Sequence, residues 1–220
     1  MTSLDVSALA RSRKTCKAFD SSRTIAAADM QRLETVMIAA ASSVNSQPWH
    51  YIIAASSDGK AQVARSTQGP TAYNEAKVLH CSHLVVFCRR LDLSNQHAEA
   101  ILQQEIKDGR LAEPEAIATS RKTREYYFGV HREDMRDAQA WMEKQLYLSY
   151  GMVMFAAAAL GIDSCPMEGF DKTILDEVLG LKNRGLTSVV LLALGYGSDA
   201  DFNKDLPKSR LPAEQLISRL

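Results

Sequence analysis

Several familiar signatures are missing from the 220 residues: there is no CxxC pair, no GxxxxGK[ST], no HExxH and no GxSxG. Their absence excludes the phosphate loop, the zinc-protease helix and the nucleophile elbow. Gly195-Tyr196-Gly197 is a poor dinucleotide fingerprint, because Ala200 stands where its third glycine should be. Excess charge is lacking too. The 26 Lys+Arg and 26 Asp+Glu balance, so no net field draws the whole molecule onto nucleic acid or anionic lipid. The longest uncharged, mainly apolar run, Gly151 to Ile162, is too short to span a bilayer. The N-terminal stretch MTSLDVSALARSRKTCKAF carries no apolar core of a secretory signal. These readings point to a cytoplasmic protein with neither membrane nor nucleic-acid partners. Cys16, Cys81, Cys88 and Cys165 follow no regular spacing and read as buried free thiols. His80-Cys81-Ser82-His83 runs directly into an apolar strand, with no second Cys/His cluster to complete a site, so no metal is expected. Repeats, low-complexity stretches and Gly/Ser linkers are also absent, which predicts one domain over residues 1–220.

What is present describes an ordinary globular chain, 46% hydrophobic and 24% charged. Met30, Leu33, Val36, Met37 and Ala40 recur at helical spacing between Asp29 and Ala41. Residues 51–54 and 84–88 are short runs of β-forming residues, and 188–194 reads as a buried strand. Residues 94–108 and 113–128 read as polar helices broken at Gly109 and Pro114. A long helix is expected over 132–160. Its second half, GMVMFAAAAL, is apolar all round and predicts burial on every side, at the centre of the fold or in a large interface. Asp171 can cap a short helix reaching Leu179. The proline-rich stretch 206–212 is expected to run extended over a surface. Helices and strands mix without regular alternation, so the fold class is α+β.

Three segments carry candidate chemistry. Arg13-Lys14-Thr15-Cys16-Lys17 offers charge-assisted donors suited to a phosphate, and Lys208-Ser209-Arg210 is a second basic cluster far away in sequence. Each alone reads more readily as a solvated basic segment. Ser42-Ser43-Val44-Asn45-Ser46-Gln47-Pro48 is either a donor-rich ligand loop or a plain turn. Pro166-Met167-Glu168-Gly169 reads as a loop whose glycine permits close backbone approach.

Taken in order, Arg-x-Thr-x-Lys-x-Phe, SSxNSQPWH, YNEAK, PMEGFD and LPKSRLP resemble the oxygen-insensitive NAD(P)H nitroreductase family, from about residue 10 to residue 212. The resemblance implies a nitroreductase-like fold, with a central mixed β-sheet surrounded by helices in an intertwined homodimer binding FMN at the subunit interface. By position, Arg13, Lys208 and Arg210 would hold the FMN phosphate, assisted by Thr15, with Lys14 beside the flavin. Lys17, Asn74 and Lys77 would address the pyrimidine edge. Ser42, Ser43 and Asn45 would come from the partner subunit, and Pro166, Met167, Glu168 and Gly169 would line one flavin face. Lys17, Glu168 and Tyr127 would be the residues nearest the chemistry.

The implied reaction takes a hydride from NADPH or NADH and passes two electrons to nitroaromatic or quinone acceptors in a ping-pong cycle. A flavin reductase or dihydropteridine reductase is the close alternative, and a non-catalytic flavin-binding protein the distant one. A lysine near the negative end of a reduced flavin would stabilise it by roughly 4 kcal/mol at ~4 Å before desolvation. For a two-electron couple that corresponds to about 90 mV. Lys14, where relatives often carry histidine, Val44 for threonine, and Tyr126 and Tyr127 for paired phenylalanines are departures that bear on substrate range.

Overall fold

A computed structural model describes residues 5–220. Four strands, β1 (Trp49–Ala54), β2 (His83–Arg90), β3 (Asp163–Met167) and β4 (Leu186–Gly195), form one sheet in the order β1-β2-β4-β3. The helices are α1 (Val6–Ser12), α2 (Ala27–Ile38), α3 (Ser57–Ala64), α4 (Glu75–His80), α5 (Asn95–Lys107), α6 (Pro114–Gly129), α7 (Ala138–Ala159), α8 (Lys172–Val178) and α9 (Ala213–Leu216). The architecture is α+β, as expected. The sheet, expected to be mixed, is antiparallel between all its strands, and parallel pairing enters at an isolated bridge between Thr15 and Ser164.

Both faces of the sheet are covered, which is why β2 and β4 read as continuous apolar runs. Leu84, Val86 and Cys88 of β2 point to one face with Leu191 and Ala193 of β4, where Val63, Ala64, Val78 and Leu175 from α3, α4 and α8 meet them. Val85 and Phe87 point to the other face with Val190, Leu192 and Leu194, beneath Leu33 and Met37 of α2 and Leu146, Val153 and Ala157 of α7. The period of two thus sends alternate residues into two separate cores, interrupted by a bulge in β4 opposite Phe87 and Cys88. Asp171 caps α8 as expected, its carboxylate accepting from the Ile174 N–H at 3.0 Å.

Two further expectations need correction. The long helix starts at Ala138 rather than Arg132, because residues 130–134 form a π turn continuing α6 and Arg136 takes φ +53°. Pro166 and Met167 lie not in a loop but in β3, paired with Leu192 and Leu191. β3 is the outermost strand, where a residue without an N–H costs no ladder bond on its open side. Within one chain the apolar half of α7 is buried along one side, so it does not lie at the centre of the fold. Val153 and Ala157 are buried, while Gly151 and Ala159 are exposed and Met152 is 43% exposed. No helix among the described residues is long and apolar enough to cross a membrane. All four cysteines are free and buried.

Candidate functional site

The N-terminal segment reaches the site along the open edge of β3. Arg13 closes α1, its N–H donating to the Leu9 carbonyl at 2.9 Å. Thr15 then pairs with Ser164, the Cys16 N–H donates to the Ser164 carbonyl at 2.9 Å, and Phe19 pairs with Gly197. A turn at 201–204 fixes the other side of this segment. Asp201 Oδ1 accepts from the backbone N–H groups of Lys17 (3.1 Å) and Asn203 (3.0 Å), and Asn203 Nδ2 donates to the Thr15 carbonyl at 2.7 Å.

That clamp brings the two basic clusters together. Arg11, Arg13 and Lys14 face Lys204, Lys208 and Arg210 around a cavity of about 350 Å³, with Thr15 and Asn203 also in its wall. No carboxylate is in the lining. Lys14 Nζ donates to the Lys204 carbonyl and Lys208 Nζ to the Ala10 carbonyl, so both ammonium groups are held at the rim. Partial burial, then the Arg13 and Arg210 guanidinium charges, lower the pKa of Lys208. The cavity therefore concentrates positive charge, of which, among the described residues, only Lys204 is paired, with Asp199 at 3.0 Å outside the lining. Its donor set fits a phosphate monoester.

Beside it, Lys17 approaches a second group of donors. Lys77 donates to Asn74 Oδ1 at 2.9 Å and to the Tyr73 carbonyl at 2.5 Å, and Asn74 Nδ2 donates to the Gly169 carbonyl at 2.8 Å. Burial lowers the pKa of Lys77; Cys165 pulls it back up and the charge of Lys17 pushes it down further. Cys165, in turn, is pushed up by burial and held down by Lys17 and Lys77. The structure therefore gathers Lys17, Asn74, Lys77 and Gly169 around the end of β3.

Gly169 is needed there for space. An added Cβ would collide with Tyr73 Oη and sit 2.9 Å from Asn74 Nδ2. Tyr73 is exposed and can swing away, whereas Asn74 is buried and cannot. We expect Gly169→Ala to lower stability by about 1–3 kcal/mol, read as a shift of the urea midpoint, and to break the Asn74–Gly169 bond. An unchanged midpoint would show that the loop yields freely.

The remaining expected residues lie elsewhere in the same chain. Glu168 is exposed and accepts from the Tyr147 hydroxyl of α7 at 2.6 Å, and Tyr147 is pushed up by burial and by that carboxylate. Tyr127, 42% exposed, packs edge-on against Tyr126 at 5.3 Å near the end of α6. Ser42, Ser43 and Asn45 stand at a loop fixed from within the chain: the Ser43 N–H donates to Gln145 Oε1 and Asn45 Nδ2 to Glu105 Oε1, both at 2.8 Å. None of these five lines the basic cavity. Sequence reasoning missed Arg11, Asp201, Asn203 and Lys204, which alternate with acidic and apolar neighbours and form no pattern. It also missed Glu105 and Arg124, each buried on a helix that reads as polar. Among the described residues, no group of three His, Cys, Asp or Glu side chains is arranged to hold a metal ion.

Residues 10–196 match the Nitroreductase family. An oxygen-insensitive NAD(P)H nitroreductase of Enterobacter cloacae is 43% identical over 215 residues, covering 98% of this chain and 99% of the relative. The major NAD(P)H-flavin oxidoreductase of Aliivibrio fischeri is 30% identical, covering 94% and 95% of the two chains. A crystal structure from Exiguobacterium sibiricum, in complex with FMN, superposes with a TM-score of 0.78 at 21% identity, covering 100% of this chain and 99% of that one.

Proposed function

The chain belongs to the nitroreductase family, and from that premise we propose that it is an FMN-dependent NAD(P)H oxidoreductase reducing nitroaromatic and quinone acceptors as a homodimer. The observation that carries this reading is the convergence of Arg13, Lys208 and Arg210 on one cavity with no carboxylate in its lining, on the same N-terminal segment as Lys17, whose charge acts on the Lys77–Asn74 pair. The first group would hold the phosphate of a flavin mononucleotide and the second its ring edge. We take residues 1–220 as a single FMN-binding domain.

When bound, FMN supplies two-electron hydride chemistry. The chain's own residues do the rest. Arg13, Lys208 and Arg210 anchor the phosphate, and Thr15 adds a hydroxyl. Lys17 and Lys77 hold two positive charges where negative charge collects on reduction. Asn74, with its amide committed to Gly169 and its oxygen to Lys77, keeps Lys77 from turning away. Pro166 and Met167, on β3, would line one side of the ring. With donor and acceptor using the same site in turn, ping-pong kinetics are expected.

The partner subunit completes the site with Ser42, Ser43 and Asn45. Support for a dimer comes from apolar surface left open by one chain. Leu148 and Met152 of α7 are 51% and 43% exposed, and Leu206, Leu211, Leu216 and Ile217 are exposed along the C-terminal tail. Exposed apolar side chains on both elements offer surface for a partner subunit to cover.

A visible spectrum of the purified protein, followed by anaerobic titration with NADPH and then NADH, tests the proposal. Flavin bands near ~450 nm that bleach on titration are expected. A colourless protein that takes up no added FMN sinks the site; a yellow protein reduced by neither donor removes the enzyme. Comparing rates with a nitroaromatic, a quinone and free flavin as acceptors separates nitroreductase from flavin reductase. The Aliivibrio fischeri relative gives the latter its weight.

A further inference from the structure

The loop that carries Ser43 and Asn45 is strained. Val44, Asn45 and Gln47 take φ of +48°, +53° and +41° with no glycine among them. Asparagine tolerates this region, but for a β-branched valine it is a true outlier. Such a backbone persists where its surroundings over-determine it. Here they do. Arg124 Nε donates to the Val44 carbonyl at 3.2 Å, and His97 Nε2 lies 2.7 Å from the Ser46 carbonyl. Gln145 takes the Ser43 N–H and Glu105 takes the Asn45 amide.

Two of these groups are paired with each other. Arg124 Nη2 donates to Glu105 Oε2 at 2.8 Å, and both side chains are buried, at 4% and 8% exposure. Ser120 Oγ, at 3.4 Å, also faces the same carboxylate oxygen. Arg124 Nη1 is buried with no acceptor. A buried ion pair that orphans a nitrogen adds little to stability compared with packed apolar residues. Its geometric consequence is larger: one carboxylate and one guanidinium fix Asn45 and Val44 together. Arg124 also sits one turn before Tyr127 on α6.

We propose that Arg124 and Glu105 are positioning residues that hold residues 43–47 in their strained form, so that Ser43 and Asn45 are preset to meet FMN, and that they lock this loop to the helix bearing Tyr127. This rests on the proposed flavin contact of the loop. The pair acts without touching the cofactor. Its removal lets the loop relax, and FMN binding must then restore the strained form.

The test uses the purified FMN-loaded dimer and the same protein after FMN removal, as wild type and as Arg124→Met, Arg124→Lys and Glu105→Gln. Amide hydrogen exchange over residues 43–47 and the FMN dissociation constant are both measured. In wild type, FMN slows exchange in the loop. In Arg124→Met, the FMN-free loop exchanges at least about tenfold faster and the dissociation constant rises about tenfold, while Arg124→Lys recovers part of both. A role in stability alone would lower the denaturation midpoint and leave the dissociation constant within about twofold of wild type, and that result overturns the proposal. If Arg124→Met fails to fold, Glu105→Gln gives the same comparison while keeping the side-chain shape. Absence of FMN protection in the wild-type loop would overturn the flavin contact itself, a failure distinct from that of the Arg124–Glu105 pair.

Discussion

Replacing Lys208 and Arg210 together by glutamine is expected to weaken FMN binding by about a hundredfold or more, with little change in the stability of the FMN-free protein. Six basic side chains share the cavity wall and no carboxylate lines it. Partial burial first, and then the charges of Arg13 and Arg210, lower the pKa of Lys208, while Lys204 is paired with Asp199. Both targeted residues are exposed, so removing their charge disrupts no packing. Hydrogen bonds between charged groups are worth about 1.5–3 kcal/mol each, and two lost contacts amount to roughly 10²–10⁴ in the dissociation constant. Flavin fluorescence on release from the protein measures it directly. Adding salt should weaken the wild type more than the variant, because fewer charges remain to be screened. A change of less than about tenfold would mean that the phosphate sits elsewhere.

This cavity marks where sequence reasoning ends. Each basic cluster is visible in the sequence, and each alone reads more readily as a solvated segment. What joins them is Asp201, which accepts from Lys17 and Asn203, together with the Asn203–Thr15 bond. No periodicity announces such a clamp. The elements that could be read are those whose burial follows one period. α2 shows its stripe of Met30, Leu33 and Met37, and β2 and β4 show runs buried on both faces. β3 was hidden because Asp163 and Pro166 are poor strand residues, tolerated here only at the sheet edge. Glu105 and Arg124 were hidden for the opposite reason. Charged residues on polar helices are expected in solvent, and their burial depends on a pairing across 19 positions. Strain at Val44 leaves no trace in composition at all.

The second large effect is expected at Lys77. Its ammonium is fixed by Asn74 Oδ1 and the Tyr73 carbonyl, next to the charge of Lys17. Burial lowers its pKa in the folded protein below the ordinary value of 10.5. Between the lowered value and 10.5 the unfolded chain therefore holds more protons, so this group makes stability rise with pH across that window. Below the lowered value, the penalty for keeping Lys77 charged is fully present. The site thus maintains a cation at a cost to the ligand-free fold, which is the arrangement expected of a group kept for charge rather than for packing. Lys77→Met removes both features. The pH dependence contributed by Lys77 disappears from the stability curve as pH approaches 10.5, although the orphaned Asn74 oxygen costs about 1–3 kcal/mol at every pH. On the proposed placement, reduction adds negative charge within reach of Lys17 and Lys77, and losing one of them makes that charge harder to accept. The midpoint potential of the bound flavin should fall by tens of millivolts, with roughly 90 mV as the upper bound for a cation at ~4 Å. Reduced FMN should lose affinity more than oxidised FMN, so the variant retains its colour while its reduction by NAD(P)H becomes less favourable. Potentiometric titration of wild type and Lys77→Met decides the matter. A potential unchanged within about 10 mV, with the pH slope of stability abolished, would leave Lys77 a buried cation of the fold and move it away from the flavin.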